Sequence, residues 1–207
     1  MDISLQYPLP KSEIGAARRV ETRAPVLFGE CVIGFKRGMI VNNDTNIPEF
    51  CTKRTLILGC GNLLFGDDGF GPAVIEYLLR NYEIPDDVYV ADVGTGARKL
   101  LFTISLGPVR PRQIIIVDAV VKGKMSGEIF ELSLADLPLE NIDDFSLHQV
   151  PSSNLARELR EDGVDVRVMV CQAGPIPRRV KPGLSDSLKE AVPRMCNKIA
   201  SEFWSEV

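Results

Sequence analysis

The sequence predicts an α/β fold: a doubly wound, mostly parallel sheet with helices on both faces, in three layers. Three observations predict this class. From about residue 54 onward, short apolar runs alternate with stretches whose apolar residues recur at helical spacing. The run 113–117 is dominated by β-branched residues, which is typical of a central strand buried on both faces. Gly59 and Gly61 follow the first apolar run, where a strand would turn into a helix.

The individual elements rest on the same periodicities. Short runs rich in apolar residues predict strands at residues 55–58, 88–93, 113–117 and 164–171, and an alternating run at 127–132 predicts an extra strand. A helix begins at Phe70 and places four apolar side chains on one face: Val74, Ile75, Leu78 and Leu79. Further helices are predicted at 97–105, at 152–161 with Ser/Asn capping residues at its start, and at 185–204 as a long amphipathic element.

The chain of 207 residues is long enough for one domain and a small surplus. Its character changes near residue 54. Residues 54–207 are therefore assigned to the α/β domain, and residues 1–53 to an N-terminal extension. Apolar runs at 26–28, 31–35 and 39–41 of the extension are compatible with a hairpin, and residues 42–48 have the composition of a linker.

Charge and hydropathy exclude several classes of partner. The formal net charge is −4, so the protein has no global positive field for nucleic acid or an anionic membrane. The longest apolar stretch, 114–121, is interrupted by Asp118 and is too short for a membrane-spanning helix, and residues 1–11 lack the apolar core of a signal peptide. We therefore expect a cytoplasmic protein that binds neither nucleic acid nor membranes.

The cysteine and histidine counts limit the chemistry. The five cysteines are odd in number, widely spaced and without a Cys-x-x-Cys pair, which argues against a disulfide framework or a thiolate zinc site. His148 is the one histidine, so mechanisms that need two imidazoles are excluded. The sequence has no Gly-x-Ser-x-Gly motif, and a Ser or Cys nucleophile would have to share His148, so nucleophilic catalysis is disfavoured.

Acidic residues follow two of the predicted strands. Asp67 and Asp68 lie after the first strand, and the third strand is expected to end at Asp118. In a flavodoxin-like strand order the first and third strands are neighbours, so Asp68 and Asp118 would converge at the carboxyl edge of the sheet. Two carboxylates held together repel each other, and either a cation or a shared proton relieves that repulsion.

The acids after the first and third strands also have other interpretations. Gly59-x-Gly61 begins like a dinucleotide-binding fingerprint, but Leu64 occupies the third glycine position and the acidic pair would repel a pyrophosphate. Helix capping explains one acid of the pair easily, and Asp118 could cap the next turn. Asp92, which also ends a strand, is interpreted as structural or as a supporting residue of the site.

His148 and a basic loop each have two interpretations. A loop histidine is commonly solvated, but His148 could also join the two carboxylates as a nitrogen ligand, in a mixed set suited to zinc, nickel or non-haem iron. The proline-bounded loop after the last strand carries Arg178, Arg179 and Lys181. A solvated turn is the favoured interpretation there, ahead of contact with an anionic partner.

Four motifs resemble those of the hydrogenase maturation endopeptidases. They are residues 59–71 (GCGNLLFGDDGFG), 92–95 (DVGT), 116–119 (IVDA) and 146–149 (SLHQ). The resemblance spans about residues 54–204, with the motifs in the family's order at compatible spacing. The first motif is most similar to the branch that serves the coenzyme F-420-reducing hydrogenases of methanogenic archaea.

The resemblance implies an activity and a site. Family members remove a C-terminal extension from the nickel-iron hydrogenase large-subunit precursor after nickel insertion, as aspartic-type or metal-assisted peptidases. By motif position, the catalytic and metal-contacting residues are Asp68, Asp118 and His148, and the metal recognised is the nickel of the precursor. Supporting or motif residues are Gly59, Gly61, Asn62, Asp67 and Asp92.

The resemblance implies no tightly bound organic cofactor, and the sequence predicts no oligomeric state. Two other functions stay open at this point. One is a non-catalytic nickel-site chaperone or binding module on the same fold, and the other is a nucleotide-dependent enzyme.

Overall fold

The computed structural model describes residues 48–134 and 153–204. His148, the hairpin prediction and nearly all of the N-terminal extension lie outside the described residues. Within those two ranges, no helix is long and apolar enough to cross a lipid bilayer.

A five-stranded sheet forms the centre of the fold. The strands are β1 (Thr55–Cys60), β2 (Val88–Gly94), β3 (Gln113–Val120), β4 (Ile129–Leu132) and β5 (Asp165–Gln172). They are ordered β2-β1-β3-β5-β4, with the first four parallel and β4 antiparallel to β5. The predicted fold class is confirmed, and the extra strand is the antiparallel edge. As expected, β1 and β3 are neighbours.

Helices cover both faces of the sheet. They are α1 (Phe70–Asn81), α2 (Ala97–Leu106), α3 (Ser153–Glu161) and α4 (Asp186–Phe203). One apolar core joins α1 and α4 to one face, and a second joins α2 and α3 to the other. Because both faces are covered, every residue of β1 is buried, and so is all of β3 after Gln113.

A short 3-10 helix, Glu49–Thr52, precedes β1. Phe50 is only 2% exposed and belongs to the core on the α2/α3 face, where its ring lies 6.2 Å from that of Tyr89. The last residues before position 54 therefore contribute to the core of the α/β fold.

The expectation that β3 ends at Asp118 is wrong. The strand continues to Val120, and Asp118 pairs with Val170 of β5. The physical reason is that β5 extends as far as Gln172 and supplies backbone partners for the additional residues. On its other side, β3 pairs with β1 only up to Val117 and Gly59. Asp118 is thus the first β3 residue beyond the β1 ladder.

Candidate active site

A tight turn after β1 brings Asp68 back against the end of that strand. Gly61 has a φ of 121°, a conformation that glycine adopts readily and other residues rarely do. A Cβ at Gly61 would lie 1.8 Å from the backbone oxygen of Asp68 and 3.6 Å from Oδ1 of Asp118. The Asn62 N–H donates to that same Asp68 oxygen at 3.1 Å. Gly61 is therefore the point where the Asp68 turn and the Asp118 carboxyl group meet.

Close backbone contact fixes α1 on the sheet just after this turn. A Cβ at Gly71 would lie 2.2 Å from the oxygen of Cys60 and 2.5 Å from that of Val117. A Cβ at Gly59 would lie 2.6 Å from the oxygen of Gly71. Because no side chain fits between them, the first turn of α1 rests directly on β1 and β3. The 3-10 helix Gly66–Gly69, which carries Asp67 and Asp68, leads into this contact.

Asp118 is a buried carboxyl group with one unpartnered oxygen. Its side chain is 2% exposed, and its Oδ1 accepts a hydrogen bond from the Ala119 N–H at 2.7 Å. Its Oδ2 is buried and forms no hydrogen bond with any described residue. Burial raises the pKa of Asp118 from 3.8 to about 8; the Ala119 hydrogen bond opposes this, and the charge of Asp68 adds to it.

Cys60 occupies the end of β1 beside the aspartates. Burial raises the pKa of its thiol well above the ordinary value. The negative charges of Asp118, Asp92 and Asp68 raise it further, which indicates that all three acids lie near this strand end. A thiol in this environment is kept protonated and is a poor nucleophile.

Asp67 holds backbone and side-chain groups from the distant loop that follows β5. Its Oδ1 accepts a hydrogen bond from the Ser185 N–H at 2.7 Å. Its Oδ2 accepts from the Gly174 N–H at 3.2 Å and from the Ser185 hydroxyl at 3.1 Å. Asp67 therefore ties the loop after β5 to the 3-10 helix that also carries Asp68.

The remaining motif residues shape turns. Asn62 Oδ1 accepts a hydrogen bond from the Leu64 N–H at 3.0 Å, two residues ahead. Asp92 Oδ1 accepts in the same way from the Gly94 N–H at 2.9 Å, and the Gly94 oxygen in turn accepts from the Gly61 N–H at 3.2 Å. The end of β2 therefore supports the turn after β1.

Sequence reasoning missed two polar residues that organise the loops around the site. One is Ser185, which was expected only as the start of a helix. The other is Gln172, whose Oε1 accepts hydrogen bonds from the N–H groups of Lys122 and Lys124 and so holds the loop after β3. Its burial at 3% exposed is the signal, but the sequence alone does not reveal it.

Of the three candidate metal-contacting residues, the structure describes Asp68 and Asp118. His148 lies outside the described residues, so its position relative to Asp68 and Asp118 stays a prediction. Within residues 48–134 and 153–204, no group of three His, Cys, Asp or Glu side chains is arranged to hold a metal ion. The two described aspartates supply carboxyl groups of the kind that serve in acid–base chemistry or as ligands of divalent metal ions.

Known proteins match most of the described fold. A family model for hydrogenase maturation proteases matches residues 72–202. A hydrogenase maturation protease of Methanocaldococcus jannaschii is 36% identical over 152 residues, which cover 73% of this chain and 97% of that protein. The coenzyme F-420 hydrogenase subunit delta of Methanothermobacter thermautotrophicus is 35% identical over 152 residues, covering 72% and 93% of the two chains.

Solved structures give the same result. The crystal structure of a nickel-iron hydrogenase maturation protease from Thermococcus kodakarensis aligns with a TM-score of 0.56 at 28% identity, covering 72% of this chain and 91% of that one. The hydrogenase maturating endopeptidase of Escherichia coli aligns with a TM-score of 0.55 at 26% identity, covering 72% and 90%. With four motifs, an α/β sheet and these relatives in agreement, the chain belongs to the hydrogenase maturation protease family.

Proposed function

We propose that this protein is an endopeptidase that removes the C-terminal extension of a nickel-iron hydrogenase large-subunit precursor after nickel has been inserted. Family membership supports a peptidase that acts on such precursors. The observation that carries the site assignment is Asp118, a buried carboxyl group whose Oδ2 has no described partner. It lies at the carboxyl edge of the sheet, beside the turn that carries Asp68.

In this proposal Asp68, Asp118 and His148 contact the nickel of the precursor, which is part of the substrate. A buried carboxyl oxygen without a hydrogen-bond donor gains most from a cation, because coordination replaces the missing partner and favours the ionised form. His148 enters on its motif position alone. Two carboxylates and an imidazole are a suitable set for nickel, and their joint requirement would make cleavage depend on a loaded precursor.

Two routes to hydrolysis follow from this site. In a metal-assisted route, nickel polarises the scissile carbonyl or lowers the pKa of a bound water, and one aspartate accepts the proton of that water. In an aspartic-type route, Asp68 and Asp118 act as an acid–base pair without metal chemistry. Burial raises the pKa of Asp118 to about 8, which makes it a proton donor at neutral pH in that second route.

Incubation of the purified protein with nickel-loaded and nickel-free precursor tests the proposal, with the mass of the large subunit as the readout. We expect a C-terminal peptide to be lost from the loaded precursor only. Cleavage of both forms would favour the aspartic-type route. Formation of a complex without any cleavage would favour the non-catalytic binding module, and a nucleotide requirement would favour the third function class.

Substitutions test the site itself. We expect Asp68→Asn, Asp118→Asn and His148→Ala each to abolish processing while the protein stays folded by circular dichroism. Asp162→Asn, a change at an exposed aspartate after the end of α3, is the matched control and should process normally. Full activity of His148→Ala would overturn the assignment of the third ligand.

The precursor is proposed to come from a coenzyme F-420-reducing hydrogenase. This rests on the similarity to the F-420 hydrogenase subunit of Methanothermobacter thermautotrophicus. Precursors of an F-420-reducing hydrogenase and of a different nickel-iron hydrogenase, offered together, should be processed at clearly different rates, with the F-420-type precursor preferred.

A further inference from the structure

The loop between β5 and α4 is basic, although the whole chain carries a net charge of −4. It contains Arg178, Arg179 and Lys181, and residues 173–185 include no Asp or Glu. All three basic side chains are exposed, and none forms a salt bridge with a described residue. Arg167, by contrast, is paired with Glu131 at 2.6 Å. The loop therefore presents positive charge that the described fold does not neutralise.

This loop is held against the turn that carries Asp68. The Lys181 N–H donates to the Leu64 oxygen at 2.8 Å, and the Gly66 N–H donates to the Lys181 oxygen at 2.8 Å. These two bonds form a short parallel bridge between Phe65 and Lys181. Asp67 anchors both ends of the loop through Gly174 and Ser185.

The loop is also restricted along its length. Prolines at 175, 177 and 182 fix their φ angles and reduce the number of conformations open to the basic segment. Binding to a restricted loop costs less conformational entropy than binding to a flexible one. The basic residues are therefore pre-positioned beside the candidate active site.

Apolar side chains are exposed on the same two segments. Leu63 is 47% exposed, Leu64 48% and Val180 65%. Because Phe65 pairs with Lys181, Leu64 and Val180 occupy equivalent positions on the paired segments. We call this surface the basic–apolar rim; it consists of Leu63, Leu64, Arg178, Arg179, Val180 and Lys181.

We propose that the basic–apolar rim binds the C-terminal extension of the precursor and that its two arginines hold a carboxylate of that extension. This inference rests on the proposed function. The rim shares Leu63 and Leu64 with the turn that carries Asp68, and Lys181 is bonded to that turn, so a chain that places its scissile bond at the aspartates lies close to the rim. Every C-terminal extension carries at least one carboxylate, its own terminus, and arginine binds carboxylates in a bidentate manner.

The double variant Arg178→Gln/Arg179→Gln tests the rim. With the nickel-loaded precursor at low ionic strength, we expect KM to rise about tenfold or more, with the effect on KM rather than on kcat. Added salt should narrow the difference from the unsubstituted protein. The control is Arg54→Gln/Arg112→Gln, which removes the same charge from two exposed arginines at the amino ends of β1 and β3. It should leave KM unchanged.

A synthetic peptide with the sequence of the released extension identifies the occupant. It should inhibit the unsubstituted protein and inhibit the rim variant at least tenfold less well. If amidation of the peptide's C-terminus abolishes inhibition, the arginines contact the terminal carboxylate. If inhibition is lost only when the acidic side chains of the peptide are neutralised, the arginines contact those side chains. Both results support the proposal.

Three results would overturn the rim proposal while leaving the proposed function intact. They are an unchanged KM in the rim variant, equal inhibition of both proteins, and a raised KM with no inhibition by the peptide, which would place the folded body of the large subunit on the rim. Failure of the unsubstituted protein to cleave any precursor would refute the proposed function itself.

Discussion

Asp118→Asn replaces the ionisable carboxyl group by a neutral amide and keeps its shape, including an oxygen that can accept the Ala119 hydrogen bond. The pKa of Asp118 is about 8 in the folded protein and 3.8 in an unfolded chain. Between these values the folded state binds more protons than the unfolded state. The contribution of Asp118 to stability is therefore full below pH 4, falls as the pH rises through this window, and levels off above pH 8.

The magnitude follows from the width of that window. Each unit of pKa difference corresponds to about 1.4 kcal/mol, so at pH 7, about three units above 3.8, ionisable Asp118 costs the native state about 4 kcal/mol. The Asn variant has no such cost. We expect the free energy of unfolding of the variant to equal that of the unsubstituted protein near pH 4. The variant should then become more stable than the unsubstituted protein by about 1.4 kcal/mol for each pH unit up to 8.

Urea unfolding of both proteins at pH 4, 5, 6, 7 and 8 measures this difference. Asp186→Asn is the control: Asp186 is exposed and a hydrogen bond from Lys189 lowers its pKa below 3.8, so the stability difference between this variant and the unsubstituted protein should stay nearly constant from pH 4 to pH 8. A stability difference between Asp118→Asn and the unsubstituted protein that stays constant with pH, or shrinks as the pH rises, would refute the assignment of a protonated, buried Asp118.

Three further substitutions test other parts of the site, and a fourth, Gly123→Ala, is a control for the first. Gly61→Ala should lower the free energy of unfolding by about 3 kcal/mol or more and abolish processing, because its Cβ would overlap the Asp68 oxygen. Gly123 also has a positive φ but has open space around it, so Gly123→Ala should lower the free energy of unfolding by about 1 kcal/mol. Asp67→Ala should cost about 2–3 kcal/mol and raise KM, because the loop after β5 loses its anchor. Cys60→Ala should retain processing, because the thiol is not a nucleophile.

Chemical denaturation and the precursor cleavage assay measure all three. Equal losses for the two glycine variants would contradict the steric argument. An Asp67→Ala protein with unchanged KM would show that the loop keeps its place without Asp67. A Cys60→Ala protein that is folded but inactive would show that the thiol takes part in the reaction.

The main strands were predictable because burial on both faces leaves a plain signal. Residues 114–117 and 168–171 are apolar without interruption, and a parallel sheet covered by helices is the fold that buries such runs. The position of Asp118 within β3 was harder to predict from the sequence. Its polarity resembles a strand end, but the length of β3 is decided by β5, a strand about fifty residues further along the chain.

The aspartates show the same division within the candidate site. Convergence of Asp68 and Asp118 follows from strand order, which the alternation of elements predicts. The partners of Asp67 lie 107 and 118 residues away, and no local pattern identifies a carboxylate that will accept bonds at that separation. The unpartnered oxygen of Asp118 likewise becomes visible only once the surrounding atoms are placed.

The glycine contacts between α1 and the sheet have a consequence for how such an enzyme changes over evolution. At Gly71 the helix backbone already touches the backbones of two strands, so α1 can neither approach the sheet nor accept a larger side chain there. Substitutions elsewhere in α1 are therefore expected to leave the distance between Asp68 and Asp118 unchanged. The segment between Gly174 and Ser185 is different: Asp67 anchors both of its ends, and its exposed residues can be replaced without moving α1 or the strands.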